Sequence, residues 1–212
     1  MRLLMKFAKT KAMQYTSHLD LHRTLERTMR RANLPLSYSQ GYNPRPKIVL
    51  ASALPLGYTS LCEFAEFWLD KEIDLLETVK ALRAASPPGI ELLELTAVEN
   101  KAPKSQNMVA SAEFMVTLLA PKTDLAEQVA FLLAQEELVR SRLRKGKIKE
   151  YDLRALIEEL SIASESEWGQ QRLFMRLKAL PGATGRPDEV LESLEINPFD
   201  AQVERTAIIL KT

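Results

Sequence analysis

Arg23, Arg27, Arg30 and Arg31 recur at separations of one, three and four in SHLDLHRTLERTMRRA, residues 17–32. A guanidinium is planar and always charged, and it can offer two parallel donors to a phosphate. On a helix these four side chains cluster on one side, while Leu21, Leu25, Met29 and Ala32 fall on the other. Arg23/Arg27 and Arg27/Arg31 are like-charge i,i+4 pairs and mildly destabilising, and only Glu26/Arg30 is favourable. A face that tolerates such repulsion suits a polyanion; the alternative is pairing with acids such as Glu63, Glu66 or Asp70 on neighbouring elements.

Directly after this helix, YSQGYNPRPK (38–47) combines a glycine that permits positive φ, two prolines that stiffen the chain and an asparagine suited to a turn. Arg45 and Lys47 would be displayed from a backbone of little freedom and continue the arginine track. Tyr38, Tyr42 and Asn43 would contact bases or sugars, aromatic stacking being the usual means of reading single-stranded RNA; the alternative is a rigid connector whose tyrosines cap the core. A third basic segment, RSRLRKGKIKE (140–150), alternates Arg140, Arg142 and Arg144 before Gly146, and Lys147 and Lys149 after it. As a β-hairpin turning near Lys145–Gly146 it would carry up to five cations on one face; as a lysine-guarded ribbon or loop it would be merely solvated.

His18 and His22 are i,i+4 and could share a metal, but a third ligand is missing because Asp20 projects away from both; no metal site is expected. His18 is the one candidate for a general acid or base and would need a partner such as Tyr42 or Lys47. Its more ordinary role is to brace the loop, with Ser17 and Asp20 ordering the helix start.

The elements that must position these groups follow from apolar periodicity. Strands are expected at 2–8, 47–52, 60–70 and 90–99, with helices at 17–33 and 74–86, the latter stopped by Pro87 and Pro88. After a polar link, NKAPKSQNM (100–108), the order begins again: strands at 111–120, 170–180 and 202–210, a mostly strand segment at 149–164, and helices at 122–135 and 187–194. Segment 153–163 also fits a helical period, and only the need for a strand there decides the assignment. The expected fold is α+β, two tandem ferredoxin-like βαββαβ units over 1–100 and 109–212, each an antiparallel sheet with helices on one face, with the basic hairpin 140–150 inserted in the second.

Composition narrows the chemistry. The 212 residues are 46% hydrophobic and can bury a substantial core. A single cysteine, Cys62, excludes an internal disulfide framework and a cysteine-built cluster, and its strand-like surroundings make it a buried small hydrophobe. No run approaches a membrane span and MRLLMKFAK is no signal peptide, so a soluble cytoplasmic protein is expected, with no cofactor. The net charge of +1 conceals an asymmetry: residues 1–50 carry ten Lys/Arg against Asp20 and Glu26, leaving 19 basic and 26 acidic residues elsewhere. Such a localised positive field points to a polyanionic partner.

KTKAMQYTSHLDLHRTLERTMRRANLPLSYSQGYNPRPKIVLASALPLGYTSLCEF (9–64) resembles an uncharacterised bacterial family described as radical-SAM-linked. The resemblance is most specific over 16–63, where SHLD, RRA, YSQGYNPRP and LPLGYTS occur in the family's order, and looser beyond. His22 stands where that pattern leads one to expect an apolar residue, which argues further against a metal pair. The resemblance implies a domain of unknown function encoded beside, or fused to, a radical SAM protein, with an accessory role and a link to RNA processing. It implies no catalytic residues. Tandem ferredoxin-like units with a cationic helix are also similar, in architecture alone, to CRISPR-repeat-processing endoribonucleases.

The leading expectation is an RNA-binding accessory protein, not itself catalytic, that presents structured RNA, tRNA or rRNA, to a radical SAM modification enzyme. The alternatives are a metal-independent ribonuclease or RNA-modifying enzyme using His18, and a protein-docking module for the radical SAM partner.

Overall fold

The structure, a computed structural model, describes every residue except Lys145, Pro181 and Thr212, and the backbone alone of Leu143, Arg144 and Lys147. The fold is mixed α/β with antiparallel strand pairing, and the chain divides into two compact units, Met1–Val109 with Leu210–Thr212, and Ala110–Ile209.

In the first unit the order is β1 (Arg2–Lys9), α1 (His18–Arg31), β2 (Ile48–Leu50), β3 (Thr59–Trp68), α2 (Leu75–Ala85) and β4 (Ile90–Val98), followed by the single turn α3 (Ser105–Met108). The strands lie side by side as β4-β1-β3-β2, each pair antiparallel. Helix α1 starts where Ser17 caps it: the Ser17 hydroxyl accepts from the Asp20 amide at 3.2 Å and donates to the Asp20 carboxylate at 2.7 Å. It stops where Asn33 takes positive φ (+53°), a common residue for that role after Gly. Asp74 caps α2 in the same way, accepting from the Glu77 amide at 2.9 Å.

Strand alternation fixes what each sheet face carries. Register pairs Arg2 with Trp68, Leu3 with Phe67, Leu4 with Glu66 and Met5 with Ala65. Leu3, Met5, Ala65 and Phe67 form the core with Leu21, Leu25 and Met29 of α1 and Leu82 of α2, so both helices cover that face. Arg2, Glu66 and Trp68 therefore occupy the opposite face. The link 100–108 runs there instead of hanging free: the carbonyls of Ala102 and Pro103 accept from Arg2, and the Ser105 amide donates to Glu66 at 2.8 Å.

In the second unit the order is β5 (Val109–Leu118), α4 (Leu125–Ala134), a hairpin of β6 (Val139–Arg144) and β7 (Lys147–Asp152), then β8 (Ile157–Ala163), β9 (Arg172–Leu180), β10 (Ala183–Thr184), α5 (Pro187–Ser193) and β11 (Ala201–Leu210). Strands β8 and β10 both flank β9, and β5 and then β11 follow on its other side. The mostly strand segment 149–164 is divided between two strands. Leu153 is fully buried, a 3₁₀ turn at Arg154–Leu156 intervenes, and the Asp152 carboxylate accepts from the amides of Leu138, Arg154 and Ala155, pinning the hairpin's base to the turn. Residues 157–163 are strand, not helix.

Candidate functional site

Helix α1 presents its arginines to solvent, but unequally. Arg23 reaches Asp20 at 3.2 Å and Arg30 reaches Glu26 at 2.8 Å, so Asp20/Arg23 joins the pair legible in the sequence. Exposed i,i+3 and i,i+4 pairs are worth about 0.2–1 kcal/mol and are readily exchanged for a phosphate. Arg31 instead donates to the carbonyl of Ala85, the last residue of α2, at 3.0 Å and so ties the two helices together. Arg27 is exposed and has no partner among the described residues. The neighbouring-element acids are engaged elsewhere: Glu66 with Arg2 and Asp70 with the Ser37 hydroxyl at 2.5 Å.

The segment after α1 is a short two-stranded ribbon. The Ser39 amide donates to the Arg45 carbonyl and the Lys47 amide to the Ser37 carbonyl, both at 2.8 Å, with Tyr38 and Pro46 paired between them. The Ser39 hydroxyl accepts from the Arg45 amide at 3.0 Å. At the tip Gly41 adopts φ +134°, which a residue with a Cβ rarely takes. The base is held by β3: the Ser37 amide donates to the Trp68 carbonyl and the Trp68 amide to that of Lys47. Tyr42 is 100% exposed and Tyr38 40%, so neither caps the core; Asn43, Arg45 and Lys47 are exposed as well.

Arg45 and Lys47 do not continue the α1 track. With Arg2, Trp68 and Lys104 they line a cavity of about 490 Å³, on the sheet face opposite the helices. Behind it, Arg2 is 1% exposed and its guanidinium donates to Glu66 at 2.7 Å and to the carbonyls of Glu99, Ala102 and Pro103, leaving Nε without an acceptor. The Arg2 guanidinium and the Lys104 ammonium lie 5.4 and 6.0 Å from the centre of the Trp68 ring, within cation–π range. Sequence reasoning missed Arg2, Trp68 and Lys104. The available signal was strand alternation, which sets Arg2, Glu66 and Trp68 against Leu3, Ala65 and Phe67.

The hairpin forms as expected, with Gly146 at φ +75° in its turn and Arg140 opposite Tyr151, Arg142 opposite Lys149 and Arg144 opposite Lys147. Two of its cations are drawn onto α5. Arg142 grips Glu189 of α5 with two donors and stacks 4.4 Å from the Tyr151 ring centre, while Arg140 donates to the Ser193 hydroxyl at 2.6 Å. These two arginines dock the hairpin on α5, because the register carries both toward that helix. Lys149 is exposed; the side chains of Arg144 and Lys147, like all of Lys145, lie outside the described residues. A cavity of about 350 Å³ adjoins Arg142, Lys149 and Tyr151. Hydrogen bonding to Glu189 raises the Arg142 pKa against the burial penalty. Burial would raise Glu189, but hydrogen bonds from Arg142 and Tyr151 together with the charges of Arg142 and Arg186 outweigh it and hold that carboxyl below its ordinary value. Burial, reinforced by Glu189, pushes the Tyr151 phenol up to about 12.

His22 Nε2 lies 3.2 Å from the Ile48 carbonyl, a structural bond from α1 to β2. His18 opens α1 half-buried, and Tyr42, fully exposed at the ribbon tip, is no packed partner for it. Among the described residues no three His, Cys, Asp or Glu side chains gather as a metal ion would require. Cys62 is buried in β3, and no described helix is long and apolar enough to cross a membrane.

Residues 2–187 match the family of uncharacterised proteins conserved in bacteria, DUF2344. The chain belongs to that family. The matched span of this DUF2344 protein includes α1, the ribbon, every residue named at the cavity behind it, and the hairpin. No curated protein matches it. Among solved structures, a Cbf5-Nop10-Gar1 complex is similar at 10% identity and TM-score 0.49 over 97% of this chain, which spans about half (48%) of the chain it matches. The acetolactate synthase small subunit from Thermotoga maritima, at 10% identity, TM-score 0.27 and coverage of 99% and 94% of the two chains, is a more distant likeness. A putative glycine cleavage system transcriptional repressor, at 11% identity, TM-score 0.25 and coverage of 99% and 97%, is another.

Proposed function

We propose that this DUF2344 protein binds structured RNA, tRNA or rRNA, in the bacterial cytoplasm and presents it to a radical SAM modification enzyme, without catalysing a reaction itself. The observation that carries this reading is the ribbon 37–47, which holds Tyr42 fully in solvent and sets Arg45 and Lys47 at a cationic, tryptophan-walled cavity. Exposed aromatics beside cations are what unpaired bases and their phosphates require. Arg23 and Arg27 offer a second, phosphate-holding surface across the sheet, suited to the backbone of a folded RNA. The radical SAM partner rests on the family resemblance of residues 16–63. We also propose that both units are versions of the ferredoxin-like split βαβ unit, a reading supported by their strand orders, β4-β1-β3-β2 and β11-β5-β9-β8.

The test measures affinity for bulk tRNA and rRNA fragments at several salt concentrations, comparing wild type with Arg45→Ala/Lys47→Ala and with Arg23→Ala/Arg27→Ala. Each lost phosphate contact should flatten the slope of log K against log salt by about 0.7–0.9. Slopes unchanged in both variants, or no RNA binding by wild type, overturn the reading and turn the basic surfaces toward protein docking.

A further inference from the structure

Resting on the RNA reading above, we infer that the cavity behind the ribbon is a subsite for one splayed-out nucleotide, its phosphate on the cationic wall and its base on the apolar one. The volume of about 490 Å³ falls within the range of roughly 300–1,000 Å³ typical of small-molecule sites. Its lining is divided by chemistry. Arg45, Lys47 and Lys104 supply positive charge, the charge of Arg2 being matched by Glu66 behind the wall, and among the described residues that line the cavity none is acidic. Val49, which pairs with Glu66 on this face, and Trp68 supply an apolar surface facing the same space. A ligand with an anionic end and a flat aromatic end uses both walls, whereas a bare anion uses only one.

The second observation is Arg2. Its side chain is 1% exposed and its guanidinium is held by Glu66 and by the carbonyls of Glu99, Ala102 and Pro103, which fixes the path of the link that carries Lys104. It lies 5.4 Å from the centre of the Trp68 ring, so this buried pair braces the indole and Lys104 at the cavity, and the phosphate falls to Arg45, Lys47 and Lys104. The ribbon adds selectivity for a nucleotide within a strand: Tyr38 and Tyr42 stand exposed on the same ribbon as Arg45 and Lys47, available to the flanking bases.

The experiment titrates AMP, and separately inorganic phosphate, into the full chain carrying Trp168→Phe. The chain has two tryptophans and Trp168 is 86% exposed, so this change leaves Trp68 as the only indole without disturbing the core. AMP should change Trp68 emission saturably and more tightly than phosphate. Lys104→Ala and Arg45→Ala, both at exposed positions, should each weaken AMP at least about tenfold with an unchanged circular dichroism spectrum. Unchanged emission up to about 10 mM AMP, with RNA binding intact, overturns the subsite and leaves the RNA reading standing. Equal affinity for AMP and phosphate overturns the nucleotide assignment, since the apolar wall would contribute nothing. AMP binding without RNA binding supports the cavity as a nucleotide site but overturns its placement within an RNA surface.

Discussion

Removing the carboxylate of Glu66 leaves Arg2 buried without its counter-ion. The two side chains are 1% and 2% exposed and 2.7 Å apart, so the charge left behind cannot reach water without opening the sheet. Breaking a buried pair from one side costs about 3–5 kcal/mol, because the survivor keeps its desolvation penalty and loses its attraction. Two details refine that figure. Arg2 retains the carbonyls of Glu99, Ala102 and Pro103, which lowers the loss, while the Ser105 amide loses its acceptor, which raises it. Glu66→Ala should therefore destabilise by about 4 kcal/mol. Urea unfolding followed by Trp68 emission in the Trp168→Phe background reads this directly, because Trp68 lies beside the pair. Glu66→Gln keeps an acceptor and should lose roughly half as much. Arg2→Met with Glu66→Leu removes both charges and should recover most of the stability. A Glu66→Ala variant within about 1 kcal/mol of wild type would refute the argument that the charge is held out of water.

Gly89→Ala should be severely destabilising, by at least about 2 kcal/mol in the same unfolding assay, because its φ is +94° and a Cβ there would lie 2.5 Å from Met13 Cγ and 2.8 Å from the Met13 amide nitrogen. Tyr42→Ala should leave the melting curve unchanged, its ring being fully exposed, yet weaken single-stranded RNA binding by about 1–3 kcal/mol in a filter-binding titration. Glu189 has a lowered pKa, so its contribution to stability is present above the unfolded carboxyl value and disappears as pH falls through the folded one. Melting temperatures across the acid range should thus fall less steeply in Glu189→Gln than in wild type, from a lower starting point at neutral pH; parallel curves would refute the Arg142–Glu189 clamp.

Local patterns in the sequence carried the elements well. Ser17 and Asp20 start α1, the prolines after Ser86 end α2, and alternation around Gly146 yields a hairpin, each because the deciding interaction lies within a few residues. What stayed hidden depends on long-range register. Arg142 finds Glu189 across 47 residues, so its apparent availability as a surface cation is lost on folding. The candidate cavity was half legible: YSQGYNPRPK announced Arg45 and Lys47, but Arg2, Trp68 and Lys104 join them only through the pairing of β1 with β3 and the path of the link 100–108. The break within 149–164 was not legible, because the buried Leu153 and the Asp152 turn preserve an apolar pattern while interrupting the strand.

The ribbon tip has a practical consequence for chemistry done on the protein. Cys62, the single cysteine of the chain, is 7% exposed, whereas position 42 stands wholly in solvent. A Tyr42→Cys variant would present one accessible thiol against a shielded background, so a maleimide dye would attach there without first removing Cys62. A fluorophore at that point would report a macromolecule arriving at the ribbon, leaving Trp68 as a second optical probe for events inside the cavity.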